Sequence, residues 1–485
     1  MSALVILLTL GVYQPELWQV YPSMDQVRCL SFSTNRLFVA VPRGVYLLDR
    51  FSYSYVRCLN QADGLAGDVM LCAWNPGRSN LLITTPDHLY EYSPVSDQVT
   101  ELFPPFTLIH SVGIAPDGAY FDTDQGLFRK HRVAPEFNPV QNLPRTITWY
   151  GDRDTSRPQD HVVLNPYFVS DEYLNSYPLS RVRADPVRRK LFATAEGYGL
   201  LVFDLRTGAR EAHVRLGPGA HPRNFIRLAQ TLWFLSPDHS AALDRLGRWN
   251  YYLTRPGDLP HPGLPLLAGA ITDLARRERL LSVLPDSAPQ SLDSLHHRSF
   301  LLGTDYGLYR LDDRNRLVSL LKLNRPVYAL ARLKDSVLVG TGQGLFLLAH
   351  DSLLDIADPF GRSDWGVFDM VQSSTGLFLA NLGGITMRAG DGTWLRLVPP
   401  GFDLSQPVQA LATGGDFLFA GTATGLLAYN TKDQSWTAID SRMGLPSSNI
   451  IGLSADDQYL WIASPDLLAR FDYSKGLPAY SRPRE

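Results

Sequence analysis

Cysteine is scarce in this chain: three in 485 residues, Cys29, Cys58 and Cys72, all toward the N-terminal end. An odd count without Cys-x-x-Cys spacing argues against a zinc site or a disulfide framework. Three buried, apolar thiols are the simpler expectation, with one disulfide left open if the chain is exported. Strong charge is also missing. The formal net charge of −3 is too small, and of the wrong sign, for an electrostatic nucleic-acid binder, so no nucleic-acid partner is expected. The basic stretch "RVRADPVRRK" (Arg181–Lys190) reads as a solvated loop. No apolar run approaches the roughly 18 residues of a bilayer-spanning helix. The run Ala3–Val12 has the length of a signal-peptide core, although no Lys or Arg precedes it and no small-residue cleavage motif follows. We expect residues 1–14 to be an export signal, the alternative being a buried N-terminal strand. There is no Gly-x-Ser-x-Gly nucleophile elbow and no Gly-rich phosphate loop before a helix.

What the chain has in abundance is turns and a phrase that returns. "FLLGTDYGLYRLDD" (Phe300–Asp313) is echoed by "VLVGTGQGLFLLAHD" (Val337–Asp351) and "FLFAGTATGLLAYNTKD" (Phe417–Asp433). Ten copies can be aligned, with turn positions at Gly44, His88, Gly126, Gly197, His239, Gly307, Gly344, Gly384, Gly425 and Leu467. Seven of the nine intervals fall between 37 and 44 residues, and the other two exceed one repeat by about 30, as insertions would. Two β-rich runs around a Gly-bearing turn make a hairpin. The small residue before the Thr position (Ala193, Gly303, Gly340, Ala380, Gly421, Ala463) marks a crowded place where strands converge. The closing Asp or Asn (Asp49, Asp204, Asp312, Asn430, Asp472) suits an Asx-type turn.

Each copy carries a further apolar run upstream, such as "VYALARL" or "VFDMVQ". Several carry a Trp downstream: Trp249, Trp394 and Trp436. Four short strands per roughly 40 residues are the signature of a β-propeller blade. The fold expected is therefore all-β, a β-propeller of about ten four-stranded blades over residues 15–475, followed by a tail, 476–485. "LWQVY", with Trp18 and Tyr21, has the look of an outer strand with no blade before it. The last copy stops without an outer strand of its own. We expect the N-terminal strand to complete the last blade. Ten blades allow one ring, or two five-bladed rings parting near 250–270.

"MGLPSSNIIGLSADDQYLWIASPDLLARFD" (Met443–Asp472) resembles the two-component-regulator propeller repeat at Gly444, Leu445, Pro446, Asn449, Asp456, Leu460, Trp461, Ile462 and Asp472. It departs from that repeat at Ala463-Ser464 and Leu467. The resemblance spans about residues 18–474 and is specific for fold and weak for function. It implies a propeller similar to those of exported bacterial surface and sensor proteins, such as the propeller part of a type IX secretion surface protein. No kinase segment, downstream transmembrane helix or sorting domain accompanies it, so a free-standing exported propeller is what carries over.

Candidate chemistry is sparse. Asp122 and Asp124 in "FDTDQG" lack the further oxygen ligands of a calcium loop and read as a turn. His161, His296 and His297 lack metal-ligand spacing and read as surface histidines. No catalytic residue, metal or cofactor is assigned. The two insertions, about 142–186 and 254–298, are the better binding elements. The first mixes aromatic residues with arginine, which suits recognition of a peptide or a sugar. Its candidate binding residues are Trp149, Tyr150, Arg153, Arg157, Tyr167, Phe168 and Tyr173, with packing of the insertion onto the ring as the competing reading. In the second, Ile271, Leu274, Leu280 and Leu281 suit either a short helix or an inner strand. The reading is a non-catalytic, periplasmic or extracellular scaffold that binds an envelope protein, peptide or glycan. A propeller-type polysaccharide lyase or glycoside hydrolase is the alternative function, and the cytoplasm the alternative location.

Overall fold

The computed structural model describes residues 13–477 apart from 133, 135, 158–166, 171–175, 219–223, 229–230, 236–238, 244–248, 254–279, 286–299, 313–316, 334–335, 350–351, 362–364 and 400–405. Within the described residues the chain forms ten antiparallel sheets of four or five strands, taken here as first to tenth in chain order. The seventh shows the plan: Val327–Leu333, Ser336–Thr341, Gly344–Ala349 and Ser352–Ile356, each paired with the next. In the first to third and the fifth to tenth sheets the opening strands pack on those of the sheet before or after, and the fourth strand of the plan lies outermost. This is the multi-blade propeller expected from the repeat.

The recurrent phrase has a hydrogen-bond explanation. In "GTGQGL" the Thr341 hydroxyl accepts from the Gln343 N–H at 3.1 Å and donates to the Gly344 carbonyl at 3.3 Å. Thr304, Thr422 and Thr123 do the same around Gly307, Gly425 and Gly126, with donor bonds of 3.3, 2.9 and 2.8 Å. One side chain thus satisfies a backbone donor and an acceptor that a tight hairpin leaves open. Gly126 sits at φ +106°, a conformation costly to residues with a Cβ. The closing acid works locally. Asp49 accepts from the N–H groups of Phe51 and Ser52 at 2.9 and 2.8 Å, and Asp204 from those of Arg206 and Thr207, both at 2.9 Å. These donors hold the Asp204 carboxyl down at about 2.

The small residue before the Thr is forced by the neighbouring blade. A Cβ on Gly303 would stand 2.6 Å from Val327 Cγ1, on Gly340 2.8 Å from Val367 Cγ1, and on Gly421 2.5 Å from Ile450 Cγ2. Val327, Val367 and Ile450 each introduce the following sheet and are fully buried. A branched side chain from one blade therefore fills the notch left by glycine in the blade before it.

The chain divides into two compact units, Gln19–Gly217 and Met1–Trp18 with Pro218–Glu485. The first unit holds four sheets. The opening strands of the first three pack in sequence, Arg183 of the fourth donates to the Trp149 carbonyl of the third, and the fourth returns to the first through Ser176–Asp185 against Cys29–Phe32. Arg50 of the first sheet ion-pairs with the buried Asp185 of the fourth and donates to the Ser33 carbonyl, a staple across that contact. Arg181–Lys190, expected as a solvated loop, is instead the end of the strand Ser176–Asp185 and the turn into the next, Lys190–Ala195. The second unit holds six sheets, and its opening strands also close on themselves, Asn224–Leu228 against Gly452–Ala455. Phe234 meets Trp461 edge-on across this seam at 6.2 Å.

The tenth sheet is completed by the strand that begins at Trp18, Trp18–Pro22, as its outermost member. Trp18 stacks on Phe471 at 4.4 Å and donates from Nε1 to the Met443 carbonyl at 3.0 Å. The N-terminal strand thus closes the last blade. The alternative of two five-bladed rings parting near 250–270 does not match the division. The sheets are shared four and six, and the units part at 217/218. The same opening-strand phrase runs through both units, so repeat spacing alone carries no mark of that point. In the second insertion, Leu280 and Leu281 lie in a strand, Leu280–Pro285, while Ile271 and Leu274 fall outside the described residues.

We expect Gly303→Ala to lower stability by about 1–3 kcal/mol, because Val327 and Ser282 leave no room for a methyl group. Gly390→Ala, which meets open space, should stay within about 0.5 kcal/mol of wild type. Urea unfolding midpoints of the two variants check this.

Candidate functional site

The insertion at 142–186 supplies a fifth strand to each of two neighbouring sheets. Thr148–Gly151 pairs with Ile109–Ala115 on the inner side of the third sheet, and Phe168–Ser170 pairs with Ser176–Asp185 in the fourth. Two glycines admit the inner strand. A Cβ on Gly113 would collide with Ile147 Cδ1 at 2.5 Å, and Gly151 sits at φ +100° against the His110 carbonyl.

This strand sends its two aromatic residues in different directions. Tyr150 is core: 6% exposed, its hydroxyl 3.1 Å from Ser31 Oγ and its ring 4.0 Å beneath the Arg183 guanidinium. Burial pushes its phenol pKa upward. Trp149 is half-buried, with the Arg153 guanidinium 5.1 Å over its ring. Arg153 is fixed in turn by Asp122 at 2.6 and 3.0 Å and by its own N–H to Ser111 Oγ at 2.8 Å. Arg183 donates to the Trp149 carbonyl at 2.9 Å and pairs with Asp154. These contacts mount the insertion on the four-sheet unit.

The remaining candidates face outward. Tyr167 is 71% and Phe168 41% exposed, at the start of the added strand of the fourth sheet, and Arg157 is exposed. Tyr177 lies in a stack instead, 4.4 Å from Tyr198, which is itself 4.1 Å from His213. Tyr173, His161, His296 and His297 lie outside the described residues. Asp124 accepts from Thr107 Oγ1 and the Leu108 N–H, both at 3.3 Å, and Asp122 serves Arg153, so both acids of "FDTDQG" are engaged by protein donors. Cys29, Cys58 and Cys72 are free and buried. Cys29 and Cys72 lie together, Cys29 Sγ donating to the Cys72 carbonyl at 3.2 Å.

One notable group escaped the sequence reading. Asp369, in the opening strand of the eighth sheet, accepts from the Met370 N–H through Oδ1 and from the Leu411 N–H of the ninth sheet through Oδ2, both at 2.7 Å. Part of the residue meets solvent, but its carboxyl is enclosed. Desolvation raises its pKa to about 7 against the pull of the two N–H donors. The signal was positional: the same place in the phrase is Cys29, Val182, Ser282, Ala329, Ala410 and Gly452 in other sheets, none of them charged.

No protein-family model and no curated protein matches the sequence. Solved structures do. PorZ, a bacterial surface component of the type IX secretion system of Porphyromonas gingivalis, matches over 96% of this chain and 88% of its own, at 11% identity and a TM-score of 0.53. The extracellular domain of the hybrid two-component-system protein BT4673 from B. thetaiotaomicron covers 92% of this chain and 70% of its own, at 11% identity and a TM-score of 0.36. The likeness to PorZ is one of fold, the multi-blade propeller.

Because the folded state holds the Asp369 proton more tightly than the unfolded chain, its contribution to stability is fully present below pH about 4 and lost as pH rises past about 7. We expect a decline on the order of 1–4 kcal/mol across this window, absent in Asp369→Ala. Urea midpoints from pH 4.5 to 8 report it, and a wild-type profile parallel to the variant's would contradict the assignment.

Proposed function

We propose that this chain is an exported, non-catalytic propeller that acts in the cell envelope by binding a protein, peptide or glycan. The observation that carries the reading is the insertion on the four-sheet unit. Its inner strand is anchored by Tyr150 and Trp149, and Tyr167 and Phe168 stand in solvent on the added edge strand. Large exposed aromatic residues on a strand held by a rigid scaffold are the usual makings of a recognition surface. The fold shared with PorZ, a secretion-system surface component, supports an envelope setting. The absence of any described helix long and apolar enough to cross a membrane is compatible with it.

The test is affinity capture from envelope fractions of the source cells, with wild-type protein and a Tyr167→Ala/Phe168→Ala form as baits. We expect a specific partner that the double variant retains at least about tenfold less, the loss of one or two interface anchors. Equal recovery on both baits would remove the insertion from the binding surface. Trp149 and Tyr150 are unsuitable for this purpose, since their loss would loosen the insertion itself.

A further inference from the structure

A recess lies in the six-sheet unit, far in sequence from the insertion. Between the seventh and eighth sheets runs a cleft of about 840 Å³, inside the range of small-molecule sites. Its floor is apolar and well packed: Leu345 and Leu377 are each 1% exposed. Ile356 and Trp394, both half-buried, extend the apolar lining.

One cation stands in this lining. The Arg388 guanidinium lies 5.8 Å over the Trp394 ring. Among the described residues it makes no ion pair and no side-chain hydrogen bond. The acid beside it, Asp391, is occupied otherwise: its Oδ1 accepts the Thr393 N–H at 2.8 Å, and backbone donation holds its pKa low. Three other arginines over aromatic rings are paired with acids, Arg50 with Asp185, Arg153 with Asp122 and Arg183 with Asp154, whereas Arg470, over Tyr459 and Trp461, shares with Arg388 the lack of an ion pair among the described residues but does not line this cleft. Arg388 thus offers its donor fork to the cleft while the Leu, Ile and Trp side chains offer apolar surface.

An occupant complementary to both has an apolar body and one anionic head. We propose that this cleft binds a small amphipathic organic acid, an aliphatic or aromatic carboxylate, with the acid group on Arg388 and the body between Trp394 and the leucine floor. A carboxylate forms two parallel hydrogen bonds to guanidinium, and partial removal from water strengthens them. A neutral ligand of the same body leaves the guanidinium without that partner. The proposal stands apart from capture of a partner by the insertion, and either can fail without the other.

The experiment uses the full chain, with 1-anilinonaphthalene-8-sulfonate as the fluorescent anionic probe and decanoate or decanol as competitor. We expect one saturable probe site, displaced by decanoate at least about tenfold more readily than by decanol, the difference one charge-assisted pair makes. Arg388→Ala should weaken probe and decanoate by a similar factor, and Arg388→Lys should restore part of the loss. Gly390→Trp, at a position with open space at the cleft mouth, should block both ligands without touching a charge. Thermal midpoints and circular dichroism establish that each variant is folded. Equal displacement by decanoate and decanol, an Arg388→Ala form that binds like wild type, or binding restricted to peptides with a free C-terminus would overturn the proposal.

Discussion

Everything in this molecule depends on how one blade accepts the next. A four-stranded sheet cannot bury both faces alone, so its stability is borrowed from its neighbours. The junction is specific. A residue without a side chain, or with only a methyl group, precedes the turn threonine, and the next blade's first branched residue occupies the space. The threonine locks the adjacent hairpin, so the notch and the turn that positions it are encoded three residues apart. Removing water from the apolar surfaces at these junctions drives the assembly. The ends of each ring need the same contact, and the last blade obtains its outer strand from the N-terminal segment.

Much of the architecture was legible in the sequence because its determinants are local. Glycine at the turn, threonine before it and an acid after it act within four residues; the acid makes the Asx-type bonds its place suggests, and the role of the threonine hydroxyl emerges from the structure. The outer-strand tryptophans begin strands at Trp249, Trp394 and Trp436, as their spacing suggests. Closure was legible because Trp18 and its neighbours formed an outer strand without a blade. The parting of the sheets into four and six was not. It depends on which opening strands meet, Ser176–Asp185 with Cys29–Phe32 and Asn224–Leu228 with Gly452–Ala455, and these pairings are remote in sequence.

The candidate site shows the same limit. Composition marked the insertion as rich in aromatic residues and arginine. Which of them hold it and which face solvent is decided by distant partners: Ser31 under the Tyr150 hydroxyl and Asp122 beside Arg153. Arg50, Arg153 and Arg183 act as fasteners, each paired with an acid and laid on a ring. Arg388 keeps the ring and lacks the acid. That difference is invisible in the sequence, where Arg388 and Asp391 look like a natural ion pair. Asp369 is the converse, visible as an acid in a place that carries uncharged residues in other sheets, with its meaning set by the strand of the next blade.

Blades cohere through these junctions, and the tenth is completed by the strand from Trp18. Hydrogen exchange of Trp18→Ala followed along the chain tests this most directly. Protection should fall together across Tyr459–Ser464 and Leu467–Asp472, and at the seam with the fifth sheet, Asn224–Leu228, where the six-sheet ring closes. Loss of protection confined to residues 18–22, with the tenth sheet and its seam unchanged, would show that the N-terminal strand merely decorates a ring that is closed without it.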